Sequence, residues 1–223
     1  MKLWKALIIT LTLLNENATA QQYYPSFRIS QGFSFLPTSE TYFSNTKYLG
    51  GSTRSLELNY SLLHDQQRRY NGWLYGFTTG IWHTTTKDRL EYDYNTYSEE
   101  SKSLSIPVLW LAKAPEWNDA VRLGVVTSKI LSKESSVGYP WKTREYSVDA
   151  YFSFGYESIL RRNRRTDGWI MHTEVFLTYD LLAHTEKQAI MQDYRRVRVA
   201  RAGFIIGVAY VFDWYHYRGW YNN

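Results

Sequence analysis

The chain has 223 residues, a formal net charge of +5 and a pI near 9.2; Tyr 20, Trp 9 and Phe 10 make 17% of it aromatic, while Gly 13 and Pro 5 are too few for a fibrous or disordered chain. Cysteine is absent, which excludes disulfides, thiolate metal sites and cysteine nucleophiles. The basic residues are scattered except for Arg161, Arg162, Arg164 and Arg165, which carry no nucleic-acid motif, so the expected partner of a basic exterior is an anionic lipid surface and not a nucleic acid.

Residues 1–20 read as a secretory signal. Lys2 and Lys5 form a basic end, Ala6 to Leu14 an apolar core too short to span a bilayer, and Ala18-x-Ala20 a small-residue cleavage site, so the mature chain is expected to begin at Gln21. The rest holds no apolar run near the ~20 residues of a membrane helix. If it enters a membrane, it must do so as strands.

Period-two alternation follows. Ser26 to Leu36 is a weak first strand; in the second, Leu56, Leu58, Tyr60 and Leu62 oppose Ser55, Glu57, Asn59 and Ser61. Trp73, Tyr75, Phe77, Thr79 and Ile81 form the apolar face of the third, and Leu104, Ile106, Val108 and Trp110 that of the fourth. After a fifth at Ala120 to Leu131, the sixth sets Tyr146, Val148, Ala150, Phe152, Phe154 and Tyr156 against Ser147, Asp149, Ser153 and Glu157. Trp169 to Leu182 and Arg198 to Phe212 complete the set, the latter with Phe204, Ile206, Val208, Tyr210 and Phe212 on one side. Most of these runs match the ~9 to 11 residues of a tilted membrane strand.

The connections alternate in length. Leu36 to Arg54, Thr84 to Lys102, Ser132 to Glu145 and Ala183 to Val197 are long and polar; His64 to Gly72, Ala112 to Asp119 and Arg161 to Gly168 are short. Short turns on one side and long loops on the other are the plan of an outer-membrane barrel. The predicted fold is therefore all-β, an eight-stranded antiparallel up-and-down transmembrane barrel over 21–213, followed by an aromatic tail at 214–223. Trp73, Trp110, Trp169 and Trp214 all fall at the turn-side ends and are predicted to form a membrane-interface belt.

The segment Leu104-Ser105-Ile106-Pro107-Val108-Leu109-Trp110-Leu111-Ala112-Lys113 resembles the fourth strand of the small outer-membrane barrels of Bacteroidota, PorT-like in the broad sense. That resemblance implies the fold and an outer-membrane location, and carries no shared catalytic residues. Pro107 cannot donate to a ladder, so a local bulge is expected there.

On the assigned parity the lumen receives Arg28, Glu57, Arg122, Asp149, Glu157, His172, Glu174 and Arg201. Eight strands leave room only for side chains, so these charges are expected to pair as a plug, Arg122 with Glu157 or in reserve with Glu174. The same parity predicts that Arg is tolerated better at Ser153 than at Phe152. His83 and His184 near the outer rim raise a lipid-modifying enzyme as the second reading, against which stand the lack of a Gly-x-Ser-x-Gly segment and of a Ser/His/Asp grouping. A soluble ligand-binding barrel is the third; it requires an apolar lumen and a polar exterior. The five histidines lack metal-ligand spacing, so no metal and no cofactor are expected. A non-enzymatic structural or accessory barrel leads, with partners in outer-membrane lipid and in envelope proteins met through the loops or the tail.

Overall fold

The computed structural model describes residues 21–39, 46–64, 74–92, 95–114, 119–135, 145–162, 168–182, 184–187, 194–197 and 199–212. The expected signal at 1–20, the tail from 213 on, Trp73 and Trp214 lie outside them. There is no helix among the described residues, and hence no helical membrane span.

Eight long strands follow one another: β1 (Gln21–Ser39), β2 (Thr46–His64), β3 (Leu74–Tyr92), β4 (Asn95–Ala114), β5 (Asp119–Ser135), β6 (Tyr146–Arg162), β7 (Gly168–Asp180) and β10 (Val199–Val211). Each pairs antiparallel with its neighbours, and β10 returns to pair with β1, closing an eight-stranded up-and-down barrel. Closure leaves no open edge. A small hairpin, β8 (His184–Lys187) with β9 (Tyr194–Val197), stands between β7 and β10.

Alternation sorts the side chains. On β6, Phe152, Phe154 and Tyr156 point outward and exposed, while Tyr151, Ser153 and Glu157 are buried inside. On β7, Ile170, His172, Glu174 and Phe176 point in and Val175 and Leu177 out. Room for the large inward residues of β7 comes from glycines on the flanking strands. Gly207 pairs with His172, Gly155 with Glu174 and Gly203 with Phe176. A Cβ on Gly207 would meet the His172 ring at 2.4 Å.

The wall is uneven in height. The β3–β4 ladder runs to Tyr92↔Asn95 and the β4–β5 ladder to Glu99↔Ser135. By contrast, β5–β6 pairing stops at Lys129↔Tyr146, β6–β7 at Asp149↔Asp180 and β7–β10 at Tyr179↔Ala200. This corrects the connections read from the sequence: most of 84–102 and much of 36–54 are strand, and 183–197 contains β8 and β9. Thr84 to Arg89 are polar on both faces, so the ladder continues where the hydropathy period has vanished. Pro107 is a second correction. Thr79↔Val108 and Trp82↔Ser105 keep one register on either side of it, so there is no bulge, and the Thr79 hydroxyl donates to the Pro107 carbonyl at 2.9 Å.

Filling the space that Gly207 leaves for His172 should be costly. Gly207→Val is expected to lower unfolding stability by about 1 to 3 kcal/mol through overpacking, read from urea unfolding of the refolded barrel followed by tryptophan fluorescence.

Candidate functional site

The lumen is layered from the short-turn end outward. Leu63, Leu74, Leu111, Ala120, Ile170, Ala209 and Val211 close that end as an apolar plug. Above it lies a layer of buried charge. A second apolar layer of Trp82, Leu109, Val126, Tyr151 and Phe176, with Ile205 against it, roofs the charges. Beyond that roof a vestibule of about 290 Å³ opens toward the tall side of the wall, lined by hydroxyls such as Ser55, Thr84, Ser103 and Thr178.

Three cations and three carboxylates make up the charged layer: Arg28, Lys113 and Arg122 with Glu57, Glu157 and Glu174, all buried. Glu174 stands at its centre, where Oε1 accepts from Nη1 of both Arg122 and Arg28, the latter at 2.6 Å. Glu157 accepts from Lys113 Nζ at 2.5 Å and from Arg122 Nη2 at 3.2 Å. Glu57 lies 3.7 Å from Arg28 and is held by Ser55 and by Asn59, whose side-chain oxygen accepts from the Trp82 indole at 2.7 Å. The charges sum to zero within the layer, the condition under which such a cluster can be held away from water. A cavity of about 40 Å³ beside Arg28, Glu57, Lys113, Arg122 and Glu157 has room for a water or two. The ring nitrogens of His172, the Ser153 hydroxyl and Glu174 Oε2 are buried without a hydrogen-bond partner.

Of the residues singled out from the sequence, Arg28, Glu57, Arg122, Glu157, His172 and Glu174 come together here. Arg122 meets both of the partners named for it, Glu157 and Glu174. Asp149 and Arg201 do not join them: they line the vestibule, where Arg201 bonds Asp88 at 2.7 Å and Asp149 accepts from Ser147 and faces Asp180 across the β6–β7 ladder. Trp110 and Trp169 lie on the outer face near the short-turn end, Trp110 stacked on Tyr75 at 5.6 Å and Trp169 edge-on to Tyr210 at 4.9 Å. His83 points outward and is exposed, opposite Leu56 and Leu104 in the ladders, and the side chain of His184 lies outside those described. Lys113 falls in a connection on the sequence reading, yet it is the inward residue that counting by twos from Ser105 reaches. Counting by twos from Trp82 likewise reaches Asp88, and from Glu174 it reaches Asp180, both also absent from the expected lumen set.

The expectation for Ser153 needs correction. Its side chain is fully buried, opposite Arg122 on one side and Phe176 on the other. An arginine there would overfill a sealed layer and add a fourth positive charge, so Ser153 is not the tolerant position that its polarity suggested.

Neutralising the central acid should release two guanidinium groups at once. Glu174→Gln is expected to destabilise the barrel by about 3 to 5 kcal/mol in urea unfolding, as for one member lost from a buried ion cluster. Glu100→Gln, at an exposed pair with Lys87, should leave the unfolding midpoint unchanged.

No protein-family model matches the chain, and no curated protein does. Among solved structures it is similar to the outer-membrane protein OprG of Pseudomonas aeruginosa, with 10% identity over 86% of this chain and 96% of that one and a TM-score of 0.47. It is also similar to the translocator domain of the autotransporter NalP of Neisseria meningitidis, with 10% identity over 94% of each chain and a TM-score of 0.32. Neither likeness bears on the chemistry of this lumen.

Proposed function

We propose that the chain is a bacterial outer-membrane protein, a non-enzymatic structural or accessory barrel of the cell envelope whose lumen does not conduct. One observation carries this reading: the barrel is apolar outside and sealed by paired charge inside. Outward residues such as Ile29, Leu58, Ile81, Ile106, Phe154, Val175 and Ile206 are exposed on all sides of the barrel. A water-soluble ligand carrier needs the opposite arrangement, so the soluble reading loses its support. Trp110, Trp169, Tyr210 and Phe212 gather at the short-turn end, where aromatic rings favour the boundary between acyl chains and headgroups. With the leader expected at residues 1–20, export followed by insertion of a closed barrel is the coherent route. Membership among the PorT-like barrels of Bacteroidota rests on Leu104 to Lys113 alone and belongs to the same proposal. The tall β3–β4 ridge offers the surface through which other envelope proteins would be met.

Two apolar layers with a neutral charge layer between them fill the middle of the lumen. In planar bilayers the mature protein is therefore expected to give no stable open channel; a steady, large conductance would contradict the reading. Phe152→Arg, which puts a guanidinium on the lipid face near the middle of β6, is expected to cost about 2 to 4 kcal/mol in unfolding from lipid vesicles and much less in a soluble barrel.

A further inference from the structure

The outer face changes character abruptly on one side only. Following the outward residues of β2 to β5 toward the tall end, Leu58 and Leu56 give way to Arg54, Ile81 to His83, Leu104 to Lys102, and Thr127 to Lys129. These positions are neighbours in the sheet. Arg54 pairs with Thr85 and Thr85 with Lys102, while His83 pairs with Leu104 and Leu104 with Lys129. Two strand spacings, about 10 Å, thus separate Arg54 from Lys102. At the same end of β6, β7, β10 and β1 the described outward residues are Tyr146, Val148, Tyr179, Leu181, Phe204, Phe33 and Phe35, without a lysine or arginine.

These basic groups are poorly neutralised by the protein. Among the described residues Arg54 bonds Gln31 at 3.1 Å, and neither Arg54 nor Lys129 meets a carboxylate. The half-buried Glu100 sits 2.7 Å from Lys87 and 3.8 Å from Lys102. Its carboxyl is held below the usual range chiefly by the hydrogen bond from Lys87, so its charge is committed to that lysine first. Inside the barrel every cation of the charged layer has an acid beside it; outside, the β2–β5 face is left with positive charge to spare. That face also continues upward as the tall wall, where Thr96 and Ser98 carry hydroxyls above the cations, while Thr85 lies level with them between Arg54 and Lys102.

We propose that the β2–β5 face binds one phosphorylated, multiply acylated glycolipid of the outer leaflet, its phosphates on Arg54, Lys102 and Lys129, its acyl chains along Leu56, Ile81 and Leu104 below, and its sugars against the polar wall above. The inference rests on the reading of the chain as an outer-membrane barrel. Charge complementarity chooses the occupant: an apolar strip of aliphatic side chains, an uncompensated basic band and a hydroxyl-bearing wall follow one another in the order of acyl chain, phosphate and sugar. A zwitterionic phospholipid leaves the band unneutralised, and a small anion leaves the strip and the wall unused.

The test reconstitutes the mature protein in phosphatidylethanolamine vesicles doped with a diphosphoryl lipid A-type glycolipid, its dephosphorylated form, or phosphatidylglycerol, and measures lipid retained after detergent extraction by native mass spectrometry. About one diphosphoryl glycolipid per barrel is expected to be retained in preference to the other two. Each charge removed should weaken retention about fivefold, so that Arg54→Gln/Lys102→Gln/Lys129→Gln loses it about a hundredfold. Removing as many charges from the far end of β6 and the connection after it, with Arg162→Gln/Arg164→Gln/Arg165→Gln, should leave retention unchanged. Equal retention of the phosphorylated and dephosphorylated forms by the wild type overturns the proposal whether or not the triple variant folds. Equal retention of phosphatidylglycerol overturns it in favour of a general anionic surface. A wild type that never acquires protease protection in vesicles overturns the membrane reading itself, a separate failure visible before any lipid is counted.

Discussion

A ring of eight strands encloses a space only as wide as side chains can fill, and this chain fills it with charge. Isolated ions could not stay there: each would carry a desolvation cost that only close, well-shaped partners offset. The arrangement around Glu174 meets that condition. One carboxylate oxygen receives two guanidinium groups, and those guanidinium groups lie near two further carboxylates, which in turn hold Lys113, Ser55 and Asn59. Apolar layers above and below flank the cluster and limit its contact with water, which strengthens the attractions and raises the penalty for losing any member. The filling of the middle of the lumen descends from this one packed layer.

How much of this was legible in the sequence depended on which faces met different surroundings. On β6 the outward residues are apolar and exposed and the inward ones face the lumen, so Tyr146 to Glu157 alternates cleanly and its parity assigns Asp149 and Glu157 inward without ambiguity. Arg28, Arg122 and Glu174 follow by the same count. On the tall part of β3 and β4 both faces are polar, Thr84, Thr86 and Asp88 toward the vestibule and Thr85 and Lys87 toward the outside. With no contrast there is no period, and a continuous ladder reads as a loop. Lys113 was hidden by a related effect: Leu109, Leu111 and Ala112 make the end of β4 apolar on both faces, because the inward ones belong to the plugs. Ser153 illustrates the converse error. A polar residue facing a polar lumen suggests spare room, whereas its polarity reflects the charged neighbours and its size reflects the crowding around Phe176 and Arg122.

The two surfaces of the barrel handle charge in opposite ways. Inside, cations and acids are matched; on the β2–β5 exterior, the basic band is undercompensated and stands directly above an aliphatic strip. The tall wall and the basic band lie on the same strands, while the low wall of β6, β7 and β10 ends in aromatic and aliphatic residues. The barrel is thus polarised around its circumference as well as along its axis.

Since the chain has no cysteine, single substitutions report cleanly on who reaches each face of β6. Ser153→Cys and Phe154→Cys, refolded into vesicles and spin-labelled where accessible, distinguish lipid, water and sealed interior through relaxation by membrane-dissolved oxygen and by an aqueous nickel complex. The expected result is that Phe154→Cys responds to oxygen and not to nickel, while Ser153→Cys resists labelling by water-soluble reagents altogether. Ready aqueous labelling at Ser153→Cys would mean an open lumen, and nickel relaxation at Phe154→Cys an exterior bathed in water; either would contradict a sealed barrel held in lipid.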